Sequence, residues 1–260
     1  RLKNLFYFVE MLVKFAVIGG NASKDLAKRI ARRLKAPYIE TQTKIFPDGE
    51  SKITFGRVPK KSAIIVVQST YPPVDTNLFQ ALSIISEARK SSSKIYAIIP
   101  YMGYARQDKQ FLSGEVITMS VVAKMIQIAG AKKVIFVDIH SKTALNHFKI
   151  RTENVSAIPE LAKYFKKMKL KNPLVVSPDM GGSLRAKKFA SLLNTDFIAL
   201  KKSRNRKTGK VQIQSSKVDV NGRDLIVIDD MISTGGSVVK ATQFLKRQKC
   251  KRVFVACTHG

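Results

Sequence analysis

Leu225-Ile226-Val227-Ile228-Asp229-Asp230-Met231-Ile232-Ser233-Thr234-Gly235-Gly236-Ser237 is the stretch from which the rest of the chain is read. Four successive aliphatic residues without polar alternation predict a strand buried on both faces. Such strands belong to parallel sheets covered by helices on either side. The strand delivers two carboxylates, and a turn of small hydroxyl and glycine residues then opens a helix. Val238, Val239, Thr242 and Leu245 follow at helical spacing. The turn can offer backbone N–H groups and the hydroxyls of Ser233, Thr234 and Ser237 to a phosphate at the positive end of the helix dipole. Two acids beside a phosphate cradle are repulsive unless they bind something else, such as sugar hydroxyls or a hydrated cation. A phosphorylated sugar satisfies both demands. No Gly-Lys-Ser/Thr follows, so this is not a Walker loop, and no GxGxxG fingerprint is present. The plainer alternative is an Asp-rich helix cap with a glycine turn; the aspartate pair at the strand end favours the ligand site.

The same unit recurs outward from this stretch: a short apolar run, a glycine-rich or polar loop, then a helical pattern. Residues 14–18, 63–68, 94–99, 133–138, 174–177, 196–200, 224–228 and 252–258 read as strands. Leu26, Ala27, Ile30, Ala31 and Leu34 fall on one helical face, with Lys24, Lys28, Arg29, Arg32 and Arg33 on the other. Further helices are predicted over 77–90, 116–129, 183–193 and 237–246. The fold class is α/β, in two halves, each a mainly parallel sheet flanked by helices. The expected division is 11–150 and 151–260, with residues 1–10 a leader contributing little to the fold. In such sheets ligands bind beyond the carboxyl ends of strands, which is where the unusual residues of this sequence stand.

Composition bounds the reading. The 260 residues carry 47 Lys+Arg against 18 Asp+Glu, a formal net charge of +29. An apolar content of 45% excludes a disordered basic tail. No uninterrupted apolar run approaches the ~18 residues of a membrane helix, and Glu10 and Lys14 break up the greasy N-terminal stretch. Cys250 and Cys257 form no CxxC, which suits a reducing cytoplasm. The charge by itself invites a nucleic-acid partner.

Residues 229–237 resemble the phosphoribosyl pyrophosphate-binding motif shared by phosphoribosyltransferases and ribose-phosphate pyrophosphokinases. Other segments separate these families. Phe46-Pro47-Asp48-Gly49-Glu50 resembles the pyrophosphokinase loop that reaches the adenine of ATP, often from a neighbouring subunit. Pro100-Tyr101-Met102-Gly103-Tyr104-Ala105-Arg106-Gln107-Asp108 resembles that family's nucleotide-binding segment. Val137-Asp138-Ile139-His140-Ser141 and Val176-Ser177-Pro178-Asp179-Met180-Gly181-Gly182 match two further motifs in order. The resemblance spans residues 14–260, implies two phosphoribosyltransferase-like halves, and has an archaeal flavour in its Ser-Thr-Gly-Gly turn. Family members usually continue past the position of Gly260, so the expectation is either that a C-terminal piece is absent here or that the domain is abbreviated.

The resemblance implies roles residue by residue. Asp48, Gly49 and Glu50, otherwise an ordinary turn, would contact the base and ribose of ATP; Arg106 and Gln107 would bind the same nucleotide, a planar guanidinium suiting polyphosphate oxygens. His140 and Asp179 would form a metal pair. Their chemistry alone leaves the ion open, and the resemblance implies magnesium, with Asp138 supporting His140. The cationic segment 201–210 reads either as a solvated, nucleic-acid-binding loop or as the family's mobile catalytic loop. In the second case Lys202 and Arg204 are the catalytic pair, with Lys201 able to shift that register by one. Asp229, Ser233, Thr234, Gly235, Gly236 and Ser237 would hold ribose 5-phosphate. The implied activity is magnesium-dependent transfer of the pyrophosphoryl group of ATP to ribose 5-phosphate, in a cytoplasmic homo-oligomer without membrane or nucleic-acid partners. The alternatives are a regulator on the phosphoribosyltransferase fold and a catalytically silent nucleic-acid-binding relative.

Overall fold

A computed structural model of the chain describes residues 14–59, 62–204, 211–214 and 219–260, with backbone only at 202–204 and 211–214. The expected leader and residues 11–13 lie outside the described residues. Two compact units divide the chain, one ending at Val155 and the other beginning at Ser156.

The first unit contains β1 (Phe15–Gly19), α1 (Lys24–Leu34), β2 (Tyr38–Ile45), β3 (Ser51–Phe55), β4 (Ala63–Val67), α2 (Val74–Ala88), β5 (Ile95–Ile99), α3 (Thr118–Ala129), β6 (Lys133–Val137) and β7 (Arg151–Val155). They form a seven-stranded sheet in the order β3-β2-β1-β4-β5-β6-β7, parallel except where β3 runs against β2. Alternation along the central strands feeds two cores. Ala16, Ile18, Ile64 and Val66 pack with Leu78, Ile85, Met119 and Ile126 of α2 and α3. Val17, Ile65 and Val67 pack on the opposite side with Ala27 and Ala31 of α1. β4 is buried throughout, as a central strand covered on both faces must be.

β7 belongs to this sheet, paired in parallel with β6. Residues 151–155, which the sequence reading gives to the second half, therefore complete the first. Their Arg-Thr-Glu-Asn-Val sequence has no apolar run because an edge strand needs none.

The second unit contains α4 (Ile158–Lys166), β8 (Leu174–Ser177), α5 (Ser183–Leu193), β9 (Asp196–Ala199), β10 (Lys201–Arg204), β11 (Val211–Gln214), β12 (Asp224–Met231), α6 (Gly236–Arg247) and β13 (Arg252–His259). Four parallel strands run in the order β13-β12-β8-β9, and β10 and β11 form a separate antiparallel pair. Val175, Ile226 and Ile228 face Phe165 of α4 and Phe189 of α5, whose rings meet edge-on at 5.7 Å. Leu174, Val176, Leu225 and Val227 face Val238, Ala241 and Leu245 of α6. The lysines of α4 lie on its solvent side. Lys163 and Lys166 are exposed while Ile158, Ala162 and Phe165 are buried. Among the described residues no helix is long and apolar enough to cross a membrane.

Candidate active site

The 225–237 stretch folds as its composition dictates. Residues 224–228 of β12 are fully buried, and the strand continues to Met231, so both aspartates are still held by sheet pairing. Asp229 aligns with Cys257 of β13, and the Ile232 N–H donates to the His259 carbonyl at 2.8 Å, fixing where the turn departs. The turn ends on Gly235, whose φ of +74° is a left-handed conformation that side chains disfavour. Its carbonyl accepts the first helical bond, from the Val239 N–H at 2.8 Å. Ser233, Thr234, Gly236 and Ser237 are exposed around it. Helix-start N–H groups lack intrahelical acceptors and favour an anion.

Behind this cradle the two carboxylates meet one guanidinium. Arg185 of α5 contacts Asp229 Oδ1 through Nη1 at 3.0 Å and Asp230 Oδ1 through Nη2 at 3.3 Å. The Asp230 N–H also donates to Asp229 Oδ1 at 2.9 Å. Burial, then the hydrogen bond and charge of Asp230, pushes the Asp229 carboxyl up to about 6; the Asp230 N–H and Arg185 pull the other way. Burial and then the same two carboxylates raise the Cys257 thiol. Arg185 is absent from the sequence reading. Its signal was a cation in the first turn of a predicted helix, where the dipole opposes positive charge unless an anion is close by.

Asp179 stands in the tight turn between β8 and α5. Ser177 Oγ donates to its carbonyl at 2.7 Å, and the Gly182 N–H donates to its Oδ1 at 3.2 Å. A Cβ on Gly182 would stand 2.5 Å from Ser177 Oγ, so only glycine lets the chain pass. Lys202 and Arg204 are alternate positions of β10, opposite Ile213 and Val211, and Lys201 is out of phase with Arg204. The segment expected as a loop therefore begins as a strand, and its remainder, 205–210, lies outside the described residues.

In the first unit, parallel pairing brings the carboxyl ends of β1, β4, β5 and β6 to one edge. Gln68, buried after β4, accepts from the Ala22 N–H at 3.1 Å and donates to Asn77 Oδ1 at 3.3 Å. His140 is exposed after β6, its loop tied to the edge strand by the Ile139 N–H donating to Asn154 Oδ1 at 2.9 Å. Asp108 is buried, accepts from Ser141 Oγ, and through its carbonyl meets His147 Nε2 at 2.7 Å. It braces the 100–108 loop against the residues after β6. Arg106 is exposed on that loop; Gln107 accepts from Thr118 Oγ1 at 2.6 Å, a tie to the start of α3 that nothing in the sequence announced. Asp48, Gly49 and Glu50 form the hairpin turn between β2 and β3, with Gly49 at φ +92° and the Glu50 N–H on Asp48 Oδ1 at 3.1 Å. They border a cleft of 590 Å³ completed by Ser51, Thr76 and the exposed ring of Phe79.

For a divalent cation the donors offered are the Asp179 carboxylate and the His140 imidazole, each in its own unit. Among the described residues no three His, Cys, Asp or Glu gather into a cage. Magnesium bound largely through phosphate oxygens and water needs one or two protein ligands only, so either donor by itself suits an ion that arrives with a nucleotide.

Two mainly parallel sheets flanked by helices, the second with a carboxylate pair leading into a glycine turn that opens a helix, define a protein of the phosphoribosyltransferase fold class. The phosphoribosyl transferase domain model matches residues 154–260, and the model for the N-terminal domain of ribose phosphate pyrophosphokinase matches residues 15–130. The chain belongs to the ribose-phosphate pyrophosphokinase family. It is 35% identical to the ribose-phosphate pyrophosphokinase of Sulfurisphaera tokodaii, over 94% of this chain and 84% of that one. It is 38% identical to that of Haemophilus influenzae, over 94% and 78%. Overall identity thus does not set an archaeal affinity above a bacterial one. A solved phosphoribosylpyrophosphate synthetase from Mycobacterium smegmatis superposes with a TM-score of 0.83 at 30% identity, covering 95% of this chain and 81% of that one. The N-terminal match accounts for the half that a phosphoribosyltransferase or a regulator on that fold would leave unexplained.

Proposed function

We propose that the chain makes phosphoribosyl pyrophosphate from ATP and ribose 5-phosphate. The anomeric hydroxyl oxygen of the sugar forms a bond to the β-phosphorus of ATP. The bond from that phosphorus to the α-phosphate bridging oxygen breaks, AMP leaves with that oxygen, and the hydroxyl proton is lost. The observation that carries the reading is the end of β12: an aspartate pair followed by a left-handed glycine turn opening α6. Asp229 would receive ribose hydroxyls. Ser233, Thr234, Gly235, Gly236 and Ser237 would hold the 5-phosphate through N–H groups and hydroxyls.

Asp48, Gly49, Glu50, Arg106 and Gln107 are assigned to ATP. Lys202 and Arg204 are assigned to the transferring group, whose oxygens gain charge and are stabilised by positioned cations. His140 and Asp179 would hold magnesium, which when bound neutralises phosphate charge. We further assign the chain to the cytoplasm and to a homo-oligomer.

The direct test incubates the protein with ATP, ribose 5-phosphate and magnesium and follows AMP and phosphoribosyl pyrophosphate. Equimolar formation of both is expected. Absence of both, with tight salt-sensitive binding of DNA or RNA, would overturn the reading.

A further inference from the structure

We infer that Arg185 is the positioning residue of the sugar site: one guanidinium, carried by the first turn of α5, holds the two carboxylates at the carboxyl end of β12, Asp229 and Asp230, in the orientation that receives the ribose. The inference rests on the assignment of Asp229 to the sugar. Its own support is geometric. Two different nitrogens of Arg185 reach two different carboxylates, at 3.0 and 3.3 Å, and the side chain is only 17% exposed. A planar fork fixes the relative direction of both acids at once, which a lysine, a point charge on a flexible stem, cannot do.

The place is otherwise a poor one for a cation. It lies in the first turn of a helix, against the dipole, and the pairing with the two acids offsets this. Asp229 Oδ1 is committed twice, to Arg185 and to the Asp230 N–H. The carboxylate is therefore anchored from α5 and from its own backbone.

Arg185 also keeps two neighbouring acids in a site that disfavours their charge. Asp229 is faced by Asp230 on its own strand, by Arg185 from α5 and by the Cys257 thiol from β13; of these only Arg185 is a cation. Without it one of the two carboxyls takes up a proton at higher pH and turns from acceptor to donor.

The test compares Arg185→Gln and Arg185→Lys with the wild type in the full chain, as kcat and KM for each substrate between about pH 5 and 9. Arg185→Gln is expected to raise KM for ribose 5-phosphate about tenfold or more while KM for ATP stays within about twofold. The acid limb of kcat/KM should move up by about one pH unit. Arg185→Lys should restore the acid limb and leave KM for the sugar raised.

An acid limb and sugar KM unchanged in Arg185→Gln would overturn the inference, as would an equal rise in KM for ATP. A carboxyl titration of Asp229 by carbon-13 NMR needs no turnover. A higher titration point in Arg185→Gln than in the wild type supports the clamp, and the same point overturns it. Circular dichroism and the thermal midpoint verify that both variants fold. A wild-type chain making no product would count against the functional reading alone, and the NMR titration would still decide the clamp.

Discussion

Asp224 and Asp229 belong to the same strand, β12, and their carboxyls are displaced in opposite directions, to about 2 and to about 6. Asp224, wholly buried at the amino end, accepts from Arg252 Nε at 2.9 Å and Nη2 at 2.6 Å, and from the Lys171 N–H at 2.6 Å. Asp229, at the carboxyl end, is partly buried beside another acid. One end of the strand holds its charge for stability and the other holds it against stability, where ligand chemistry asks for it.

The Arg252 hydrogen bonds are the largest cause of the low Asp224 value, so its ionised form favours the folded state. Asp224→Asn should destabilise the unit beginning at Ser156 by about 2 kcal/mol at neutral pH, less than a fully buried pair because Arg252 is half-exposed. That stabilisation is complete above about pH 4 and is lost as pH falls toward about 2. Urea unfolding should show the gap between wild type and variant closing over that window. A gap independent of pH would refute the ion pair as its cause.

The raised Asp229 value has the opposite sign. Between about pH 4 and 6 the folded chain retains a proton that the unfolded chain has released, so folding is penalised as pH rises through this window. Asp229→Asn is expected to gain about 1 kcal/mol of stability above pH 6. Turnover with ribose 5-phosphate should fall about tenfold or more. Calorimetry of both proteins above and below that window checks the first claim, and an identical difference at both would count against it.

Gly235 offers a separate handle because its left-handed φ of +74° is closed to a β-branched residue without strain. Gly235→Val should raise KM for ribose 5-phosphate about tenfold, with KM for ATP little altered. An unchanged sugar KM in a folded variant would remove the turn from the phosphate site.

Lys202→Ala should lower turnover about a hundredfold or more while nucleotide affinity, read by equilibrium dialysis, changes little. Lys201→Ala in parallel settles the register, since only the residue in phase with Arg204 should have the large effect. Near-normal turnover in both variants would reject the assignment.

Much of this architecture is legible from the residues. Buried runs such as 63–67 and 225–228 announce themselves because a strand covered on both faces must be continuously apolar. The helix over 183–193 is equally plain. Strands β2, β3, β7 and β10 are not, because their stability comes from pairing with a neighbour. Tyr38–Ile45 and Arg151–Val155 are both mostly polar. At the sites, the motif loops stood out, whereas their supports did not. Arg185, Asn154 and Thr118 act through partners far along the chain, and no local pattern encodes a contact 44 residues away, the separation of Arg185 from Asp229. Asp108 shows the converse: a residue inside a motif that braces its loop, its buried carboxylate accepting from Ser141 Oγ and its backbone carbonyl meeting His147 Nε2.

The strand order of the first unit bears on how the chain acquires its ligand sites in time. β1 is flanked by β2 and β4, and the bonds that shape its carboxyl end, from Ala22 to Gln68 and from Ser69 to Ser23, each span 46 residues. Closing such loops costs entropy before the contacts repay it, so parallel sheets of this kind are slow to assemble. The loops after β5 and β6, proposed above to receive the nucleotide, exist as a surface only once those strands have joined the growing sheet. On the proposed assignment, a nucleotide bound by these loops would meet a finished first unit and act as a late stabiliser by mass action, not as a template for the earliest folding steps.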